Sequence, residues 1–266
     1  MDIPFTKYQG TGNDFILIDQ RREKFLSQHD HKVIQRMCDR KFGIGADGLI
    51  ILATNAMYDY EMIYYNADGR TSSMCGNGGR CITAFANQVG LAPKEYRFLA
   101  IDGEHISKFN SDGTISLMMS NVSDYHIGDG YYILDTGSPH YIIFVEDIDD
   151  IDVKEQGQSI RYSSEFKAEG INVNFVEVVD GKLIVATYER GVEDETLSCG
   201  TGVTAAALAY ALHSKLDPGE HTIEIQTKGG LLEVKFSINS NSEFENIWLS
   251  GSATKVFKGV YSTNYL

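Results

Sequence analysis

The sequence is poor in several kinds of residue, and each shortage excludes a class of protein. Of 266 residues, 23 are lysine or arginine and 37 are aspartate or glutamate, which gives a formal net charge of −14. A chain this acidic repels polyphosphates and anionic surfaces, so neither nucleic-acid binding nor membrane-surface binding is expected. Apolar runs of about 18 residues, the length of a membrane-spanning helix, are missing. The first residues, Met1 to Phe5, show no basic segment before an apolar one, so no secretory signal is predicted.

Cysteine and proline are also scarce, with four residues each, whereas glycine occurs 26 times. Four cysteines in a chain of this size do not form a disulfide framework, so we expect thiols. The excess of glycine over proline favours tight turns and close backbone approaches rather than flexible linkers. The cysteines are Cys38, Cys75, Cys81 and Cys199. We expect Cys38 and Cys81 to be small buried packing residues.

Short strands joined by tight turns dominate the pattern. Asp-Gly pairs at 102–103, 112–113 and 180–181 separate β-type runs and predict hairpins. Apolar residues alternate on both sides of Lys228-Gly229-Gly230 and predict a fourth hairpin. Helices are predicted over His29–Arg40, Arg80–Val89 and Val203–Ser214. We therefore expect an α+β protein with mostly antiparallel, curved sheets against which the helices pack.

The sequence repeats weakly at an offset of about 124 residues. Cys75-Gly76-Asn77-Gly78 matches Cys199-Gly200-Thr201-Gly202, and a predicted helix follows each motif. Chance similarity between glycine-rich turns is one interpretation. We favour the other interpretation, in which two copies of one domain face each other across a cleft. The duplication would then place one cysteine on each wall.

A cysteine at the start of a helix is suited to proton transfer. The positive end of the helix dipole lowers the pKa of a thiol there and populates the thiolate. Neighbouring glycines let backbone N–H groups converge on an anion such as a carboxylate. Two such motifs, at Cys75 and Cys199, suit the removal of a proton from one face of a carbon and its delivery to the other. One cysteine must then be a thiolate and the other a thiol.

Other interpretations of the same residues remain open. Cys75 and Cys199 could form a redox disulfide, although neither lies in a Cys-x-x-Cys motif. A protein that binds carboxylates without catalysis would use the same glycine turns. No zinc site is expected, because Cys75 and Cys81 are six residues apart with no histidine or cysteine at metal-binding spacing.

At these motifs the sequence resembles the diaminopimelate epimerase family, whose members work without pyridoxal phosphate. The resemblance covers essentially the whole chain. The motifs that carry it are Gly10-Thr11-Gly12-Asn13-Asp14-Phe15, Gly43-Ile44-Gly45-Ala46-Asp47, Tyr65-Asn66-Ala67-Asp68-Gly69, Met74-Cys75-Gly76-Asn77-Gly78-Gly79-Arg80-Cys81, Gly137-Ser138-Pro139-His140, Ile171-Asn172-Val173-Asn174-Phe175, Tyr188-Glu189-Arg190-Gly191, Ser198-Cys199-Gly200-Thr201-Gly202 and Gly251-Ser252-Ala253. The resemblance implies two domains, 1–120 with the tail 258–266, and 121–257. Each is expected to be a curved, mostly antiparallel sheet around a central helix, with the active site in the cleft between the domains.

The resemblance also implies a reaction and a set of roles. The reaction interconverts LL- and meso-2,6-diaminopimelate, a step towards lysine and peptidoglycan, and needs neither a cofactor nor a metal. Cys75 is implied to be the proton donor and Cys199 the acceptor in the LL-to-meso direction. His140 and Glu189 are implied to tune the two thiols. The residues implied to bind substrate are Asn13, Asn66, Gly76, Asn77, Ser138, Asn172, Glu189, Arg190, Gly200 and Thr201.

The remaining implications concern partners and one departure from the family pattern. The resemblance implies a cytoplasmic homodimer with Phe257 at the dimer contact, and a small molecule as substrate. Ser138 stands where the family commonly has asparagine, so its hydroxyl has a shorter reach to the distal end of the substrate. For that reason a racemase or epimerase of another amino acid, with the same fold, remains an alternative.

Overall fold

The structure is a computed structural model that describes residues 1–72 and 74–263. Contacts between residues divide the chain into two compact units. Unit 1 contains Met1–Leu117 and the C-terminal residues from Ser252 onward, and unit 2 contains Met118–Gly251. The predicted domain limits, 1–120 with the tail 258–266 and 121–257, stay a prediction. Residues 264–266 of the predicted tail lie outside the described residues.

Strands greatly outnumber helices in the described part of the chain. The strands are β1 (Asp2–Gly10), β2 (Asn13–Asp19), β3 (Gly48–Ala53), β4 (Tyr60–Asn66), β5 (Tyr96–Ala100), β6 (Gly103–Phe109), β7 (Ile115–Met118), β8 (Tyr125–Ile127), β9 (Tyr131–Asp135), β10 (Pro139–Val145), β11 (Asn172–Val179), β12 (Lys182–Glu189), β13 (Asp194–Thr196), β14 (Gly219–Thr227), β15 (Gly230–Ile238), β16 (Phe244–Gly251) and β17 (Thr254–Ser262). The helices are α1 (His31–Cys38), α2 (Gly76–Gln88), α3 (Val153–Arg161) and α4 (Gly200–His213). All four predicted hairpins are confirmed, as β5–β6, β6–β7, β11–β12 and β14–β15.

The two units pair their strands in the same order. In unit 1 the pairs from β1–β2 to β6–β7 run antiparallel, parallel, antiparallel, parallel, antiparallel and antiparallel. In unit 2 the pairs β9–β10, β10–β11, β11–β12, β12–β14, β14–β15 and β15–β16 run in that same order. One further antiparallel strand flanks each set, β17 beside β1 and β8 beside β9. The predicted α+β fold of two pseudo-repeated, mostly antiparallel domains is therefore confirmed.

The strands of each unit pack around one buried helix. Helix α2 packs against β1, β2, β3 and β6, and 11 of its 13 residues are buried. Helix α4 packs against β9 to β12 and β14 to β16, and its residues are apolar on nearly every side. A helix with apolar residues all round is stable only inside a core, where neighbouring strands remove it from water. Helices α1 and α3 pack elsewhere, α1 against β3 and α3 against β11 to β13.

The helix boundaries differ from the predicted ones in an informative way. Helix α2 begins at Gly76 rather than Arg80, and α4 begins at Gly200 rather than Val203. The low helix propensity of glycine favours a later start, but packing against the sheet outweighs that preference of about 1 kcal/mol per residue. The glycine turns are thus the first turns of the helices themselves. Helix α1 is shorter than predicted, and α3, capped by the Asp152 carboxylate, was not predicted.

Among residues 1–72 and 74–263, no helix combines the length and the apolar character needed to cross a membrane.

Candidate active site

The two cysteines of the repeated motif occupy the same position in their helices. Cys75 is the residue before α2 and Cys199 the residue before α4, and both have extended backbone angles (φ −109°, ψ 132° and φ −115°, ψ 114°). The carbonyl of each accepts the first helical hydrogen bond, from Gly79 N at 2.7 Å and from Val203 N at 3.0 Å. Each sulfur is therefore attached where the backbone N–H groups of the first turn and the positive end of the dipole lie.

In unit 1 the thiol of Cys75 faces a hydrogen-bond acceptor. Cys75 Sγ lies 3.6 Å from Asn13 Oδ1. The other end of the same amide, Asn13 Nδ2, donates to Asp47 Oδ2 at 2.7 Å. A carboxylate can only accept, so the bond to Asp47 fixes the Asn13 amide with its oxygen toward the sulfur. This contact favours the protonated form of Cys75.

Asp47 belongs to a cluster of charged side chains. Arg40 donates both to Asp47 at 2.8 Å and to Asp14, and Lys7 forms an ion pair with Asp14 at 2.8 Å. Burial opposes the charge of Asp14, but the hydrogen bonds from Arg40 and Lys7 outweigh burial and hold the pKa of Asp14 well below its usual range. The cluster thus keeps the Asp14 carboxylate ionised.

A buried arginine lies under the first turn of α2. Arg80 is fully buried, and its Nη2 donates to Asn77 Oδ1 at 2.9 Å and to Thr11 Oγ1 at 3.1 Å. Burial lowers the pKa of Arg80, while the nearby Cys81 and Cys75 act in the opposite direction. The guanidinium therefore places positive charge close to Cys75. Because the Asn77 side chain is turned toward Arg80, the group of Asn77 suited to an anion is its backbone N–H.

The other two predicted residues of unit 1 lie on strands β4 and β17. Asn66 is exposed at the end of β4, where it pairs across the sheet with Gly48. Phe257 lies on β17, is 44% exposed and contacts Phe5 edge-on with ring centroids 5.8 Å apart.

In unit 2 the sulfur of Cys199 faces a hydroxyl. Thr201 Oγ1 lies 3.4 Å from Cys199 Sγ, and His140 Nε2 lies 2.8 Å from the same hydroxyl. Burial, followed by the positive charge of Arg190, lowers the pKa of His140 to about 3. The imidazole is therefore neutral at any pH near neutrality.

A second group in unit 2 joins three predicted substrate-binding residues. Asn172 Nδ2 donates to Ser138 Oγ at 2.9 Å, and Asn172 Oδ1 accepts from the backbone N–H of Arg190 at 2.9 Å. Arg190 Nη1 donates to the carbonyls of Glu169 and Gly170 at 2.9 Å and 3.3 Å. The guanidinium of Arg190 is thereby held in one orientation, which suits recognition of a carboxylate.

Glu189 ends β12, directly before Arg190, and is half-buried. Among the described residues, no group of three His, Cys, Asp or Glu side chains is placed to hold a metal ion.

The other two cysteines have a different environment. Cys38 and Cys81 are buried, as predicted. Burial raises the pKa of Cys38 to about 12, and burial raises the pKa of Cys81 further above its usual range. Both remain thiols near neutral pH and act as packing residues.

The prediction from sequence missed four residues that hold these groups: Asp47, Arg80, Asn174 and Thr187. Asn174 carried a usable signal, since it lies two residues after Asn172 and side chains at that spacing share one face of a strand. Asp47 and Arg80 lie within the quoted motifs, but their partners Asn13 and Asn77 are fixed only by the tertiary fold.

Comparisons with known proteins agree with this architecture. The sequence profile of the family described as diaminopimelate epimerase matches residues 5–124 and 132–256. A diaminopimelate epimerase of Flavobacterium psychrophilum is 49% identical over 253 residues, covering 95% of this chain and 97% of the relative. One from Chlorobaculum tepidum is 41% identical over 258 residues, covering 94% of this chain and 98% of the relative.

Solved structures with low sequence identity share the fold. A PhzF-family phenazine biosynthesis protein of Bacillus anthracis superposes with a TM-score of 0.78 at 13% identity, covering 98% of this chain and 99% of that one. A hydroxyproline epimerase from Agrobacterium vitis superposes with a TM-score of 0.67 at 13% identity, covering 99% and 93%. The sequence relatives decide the family: the chain belongs to the diaminopimelate epimerase family.

Proposed function

We propose that the protein is an isomerase that interconverts LL- and meso-2,6-diaminopimelate, with Cys75 and Cys199 as its acid and base and without a cofactor. Family membership supports the substrate and the reaction. The observation that carries the two-cysteine mechanism is the matching position of both thiols, each at the residue before a buried helix and each followed by glycine.

The proposed reaction moves one proton off the α-carbon and another onto it. In the LL-to-meso direction the Cys199 thiolate takes the α-proton, and the electron pair of the broken C–H bond passes into the α-carboxylate. The Cys75 thiol then gives its proton to the opposite face of the carbon. After one turnover Cys199 is a thiol and Cys75 a thiolate, which is the state required for the reverse reaction.

The first turns of α2 and α4 would supply the electrostatic stabilisation that a cofactor otherwise provides. The backbone N–H groups of Gly76, Asn77, Gly200 and Thr201 belong to the first turns of α2 and α4, where N–H groups point out of the helix start and suit an anion. Charge grows on the α-carboxylate as the carbon loses its proton, and fixed dipoles aimed at that group stabilise the transition state more than the substrate.

The distal amino acid centre of the substrate would be bound by Asn13, Asn66, Ser138, Asn172, Glu189 and Arg190. Support comes from the fixed orientation of Arg190 and from the Asn172–Ser138 hydrogen bond at 2.9 Å. A site with such groups discriminates against analogues that lack the distal carboxylate or amine, because its own polar groups would then be left without partners.

The test is incubation of reduced protein with LL-diaminopimelate in D₂O with no cofactor added. Formation of the meso isomer with one deuterium at one α-carbon is expected. The absence of both exchange and meso product with fully reduced protein would refute the proposal. Exchange on another amino acid, but not on diaminopimelate, would favour the alternative of a related racemase or epimerase.

Variants test the two thiols separately. Cys75→Ala and Cys199→Ala should each lower the epimerisation rate by about 10³-fold or more, because each removes an acid–base group. Cys38→Ala is the matched control, since Cys38 is a buried thiol outside the site, and it should retain near-wild-type turnover. Near-wild-type activity in either of the first two variants would rule out the two-thiol mechanism.

We further propose a cytoplasmic homodimer with contacts at Phe257, and no nucleic-acid partner. The exposed apolar side chains of Val256, Phe257 and Val260 on β17 support a protein contact there. The net charge of −14 disfavours polyanions, and a mechanism that needs two reduced thiols suits the reducing cytoplasm. Sedimentation of wild-type protein and Phe257→Ser checks the dimer; a monomeric wild type would contradict it.

A further inference from the structure

Asn174 is a buried amide that the proposed reaction does not use. It is 0% exposed, on β11, and its side chain makes hydrogen bonds to three other residues. Oδ1 accepts from Thr187 Oγ1 at 2.9 Å, and Nδ2 lies 3.2 Å from the carbonyl of Tyr141 and 3.0 Å from His140 Nδ1. A buried amide with this many partners has one fixed orientation.

The backbone fixes that orientation. The Tyr141 carbonyl can only accept, so the end of the Asn174 amide that faces it must be the NH₂ group. The same NH₂ group therefore points its second hydrogen at His140 Nδ1. A neutral imidazole that accepts at Nδ1 carries its proton on Nε2.

The position of that proton decides what the next hydroxyl does. His140 Nε2–H donates to Thr201 Oγ1 across 2.8 Å, which occupies the hydroxyl as an acceptor. The single O–H of Thr201 is then directed to Cys199 Sγ at 3.4 Å. A hydroxyl that donates to a sulfur stabilises the thiolate relative to the thiol.

We propose that Asn174 is a positioning residue that holds His140 in its Nε2–H tautomer and thereby turns the Thr201 hydroxyl proton toward Cys199. This inference rests on the proposed function only for the role of Cys199 as the base. The chain of hydrogen bonds lies wholly within unit 2, and its four members are Asn174, His140, Thr201 and Cys199.

The opposite tautomer would undo the arrangement. With the proton on Nδ1, Nε2 becomes an acceptor, and the Thr201 hydroxyl then donates its hydrogen bond to His140 instead of to Cys199. Cys199 would then face a hydroxyl oxygen, which disfavours the thiolate. Asn174 thus influences the sulfur through two intervening residues and without touching substrate.

Two variants separate this role from simple packing. Asn174→Leu keeps the branched shape and removes both the donor to His140 and the acceptor for Thr187. Thr187→Val removes the same Thr187–Asn174 bond but leaves Nδ2 pointing at Nδ1, because the Tyr141 carbonyl still fixes the amide. The two variants therefore share one lost hydrogen bond and differ in the donor to His140.

The first measurement is ¹⁵N NMR of the histidine ring nitrogens near pH 8, with His140 assigned by comparison with His140→Phe. Wild type and Thr187→Val should show a protonated Nε2 and an accepting Nδ1, whereas Asn174→Leu should show a substantial Nδ1–H population. A wild-type spectrum with the proton on Nδ1 overturns the proposal, whether or not Asn174→Leu folds.

The second measurement is the pH dependence of Cys199 alkylation by iodoacetamide, read peptide by peptide by mass spectrometry. Arg190 and Glu189 are unchanged in every variant, so their effect on the sulfur is common to all. Asn174→Leu should raise the alkylation midpoint by about 0.7 pH unit, the equivalent of one hydrogen bond to the thiolate. An unshifted midpoint, or an equal shift in Thr187→Val, overturns the proposal.

Neither measurement requires turnover, so the two proposals fail separately. If the tautomer and alkylation results hold but LL-diaminopimelate is not epimerised, the proposed function fails and the role of Asn174 stands. If epimerisation holds but the tautomer is reversed, the role of Asn174 fails alone.

Discussion

Units 1 and 2 place one cysteine each at the start of a buried helix, but the side chains at equivalent positions around the two helices differ. The parallel strand pairs β2–β3 and β10–β11 define equivalent positions: Phe15 pairs with Gly48 in unit 1, and His140 pairs with Asn172 in unit 2. Two residues further along these strands, Asn174 on β11 is equivalent to Ile50 on β3. The hydrogen-bonding side chains of unit 2 thus correspond to apolar residues in unit 1.

The helix contacts confirm this equivalence. A Cβ on Gly78 of α2 would lie 3.0 Å from Ile50 and 3.6 Å from Phe15. A Cβ on Gly202 of α4 would lie 2.5 Å from Asn174 and 3.2 Å from His140. Both helices therefore approach their sheets through a glycine at the same point.

The buried charge near the two helix starts also differs, and here the charged side chain is in unit 1. Arg80 lies under the first turn of α2, whereas the residue at the same offset in α4 is Thr204, which donates to the Gly200 carbonyl at 2.9 Å. Unit 1 thus acts on its cysteine through a buried cation and an amide oxygen. Unit 2 acts through a neutral chain of hydrogen bonds. Two cysteines with the same backbone setting thus have different neighbours, and the proposed reaction, with one acid and one base, requires that their proton affinities differ.

The largest expected effect that would test this contrast is the pH dependence of the free energy of unfolding that His140 of unit 2 causes. The pKa of His140 is about 3 in the fold against an ordinary 6.5, so the unfolded chain binds a proton that the folded one does not. Stability is therefore present above pH 6.5 and is lost as pH falls toward 3, by about 1.4 kcal/mol per pH unit and roughly 5 kcal/mol in total. Urea unfolding between pH 6.5 and 4.5, followed by fluorescence of Trp248, measures this slope. In His140→Phe the free energy of unfolding should fall less steeply with falling pH than in wild type. Equal slopes in the two proteins would contradict the lowered pKa of His140.

The second expected effect concerns turnover when unit 2 is made to resemble unit 1. His140→Phe introduces the residue found at the equivalent position 15 and removes the donor to Thr201. We expect kcat for epimerisation to fall by about 10²-fold, since the thiolate of Cys199 loses its oriented hydroxyl. Steady-state rates with LL-diaminopimelate measure it. Unchanged kcat would show that the chain of hydrogen bonds in unit 2 has no influence on the reaction.

The third expected effect compares the two glycines. Gly202→Ala directs its new Cβ at an amide locked by hydrogen bonds, and should lower the free energy of unfolding by about 2 kcal/mol. Gly78→Ala meets the end of a flexible isoleucine, and the better helix propensity of alanine offsets part of the strain, so its change should stay within about 1 kcal/mol. The midpoints of urea unfolding, followed by circular dichroism, measure the loss of stability in each variant. Equal losses would show that the two contacts are equally rigid.

The smallest expected effect concerns the buried cation. Arg80→Gln removes the positive charge near Cys75 and should raise the midpoint of Cys75 alkylation by about 0.5 pH unit, with Cys199 unchanged. Thr204→Val, at the equivalent position of α4, is the control and should shift neither cysteine. A shift at Cys199 in Arg80→Gln would contradict separate control of the two thiols.

Much of this arrangement could be predicted from the sequence. The repeated Cys-Gly-x-Gly motif predicts both buried helices, and the hairpins follow from glycine-containing turns between alternating apolar residues. These are local features in which turn chemistry and periodicity agree. The predicted starts at Arg80 and Val203 were wrong, because packing against the strands outweighs the low helix propensity of glycine at Gly76 and Gly200.

The proton-directing contacts could not be predicted, because they join residues distant in sequence. Asn174 reaches His140 across 34 positions, and Asn13 reaches Asp47 across the same number. Which end of an amide faces which partner depends on a single carbonyl or carboxylate in the folded chain. The sequence shows that asparagines are present but not how each amide is turned.

Because of strand β17, the two units are completed at different times during protein synthesis. It follows all of unit 2 in the chain and yet pairs with β1 of unit 1 along eight residue pairs. On the ribosome, every strand of unit 2 is therefore available before unit 1 receives its flanking strand. Until then β1 keeps an open edge, to which another nascent chain can add a strand. The unit translated first is the one completed last, and its exposure to aggregation lasts for the time needed to translate the other.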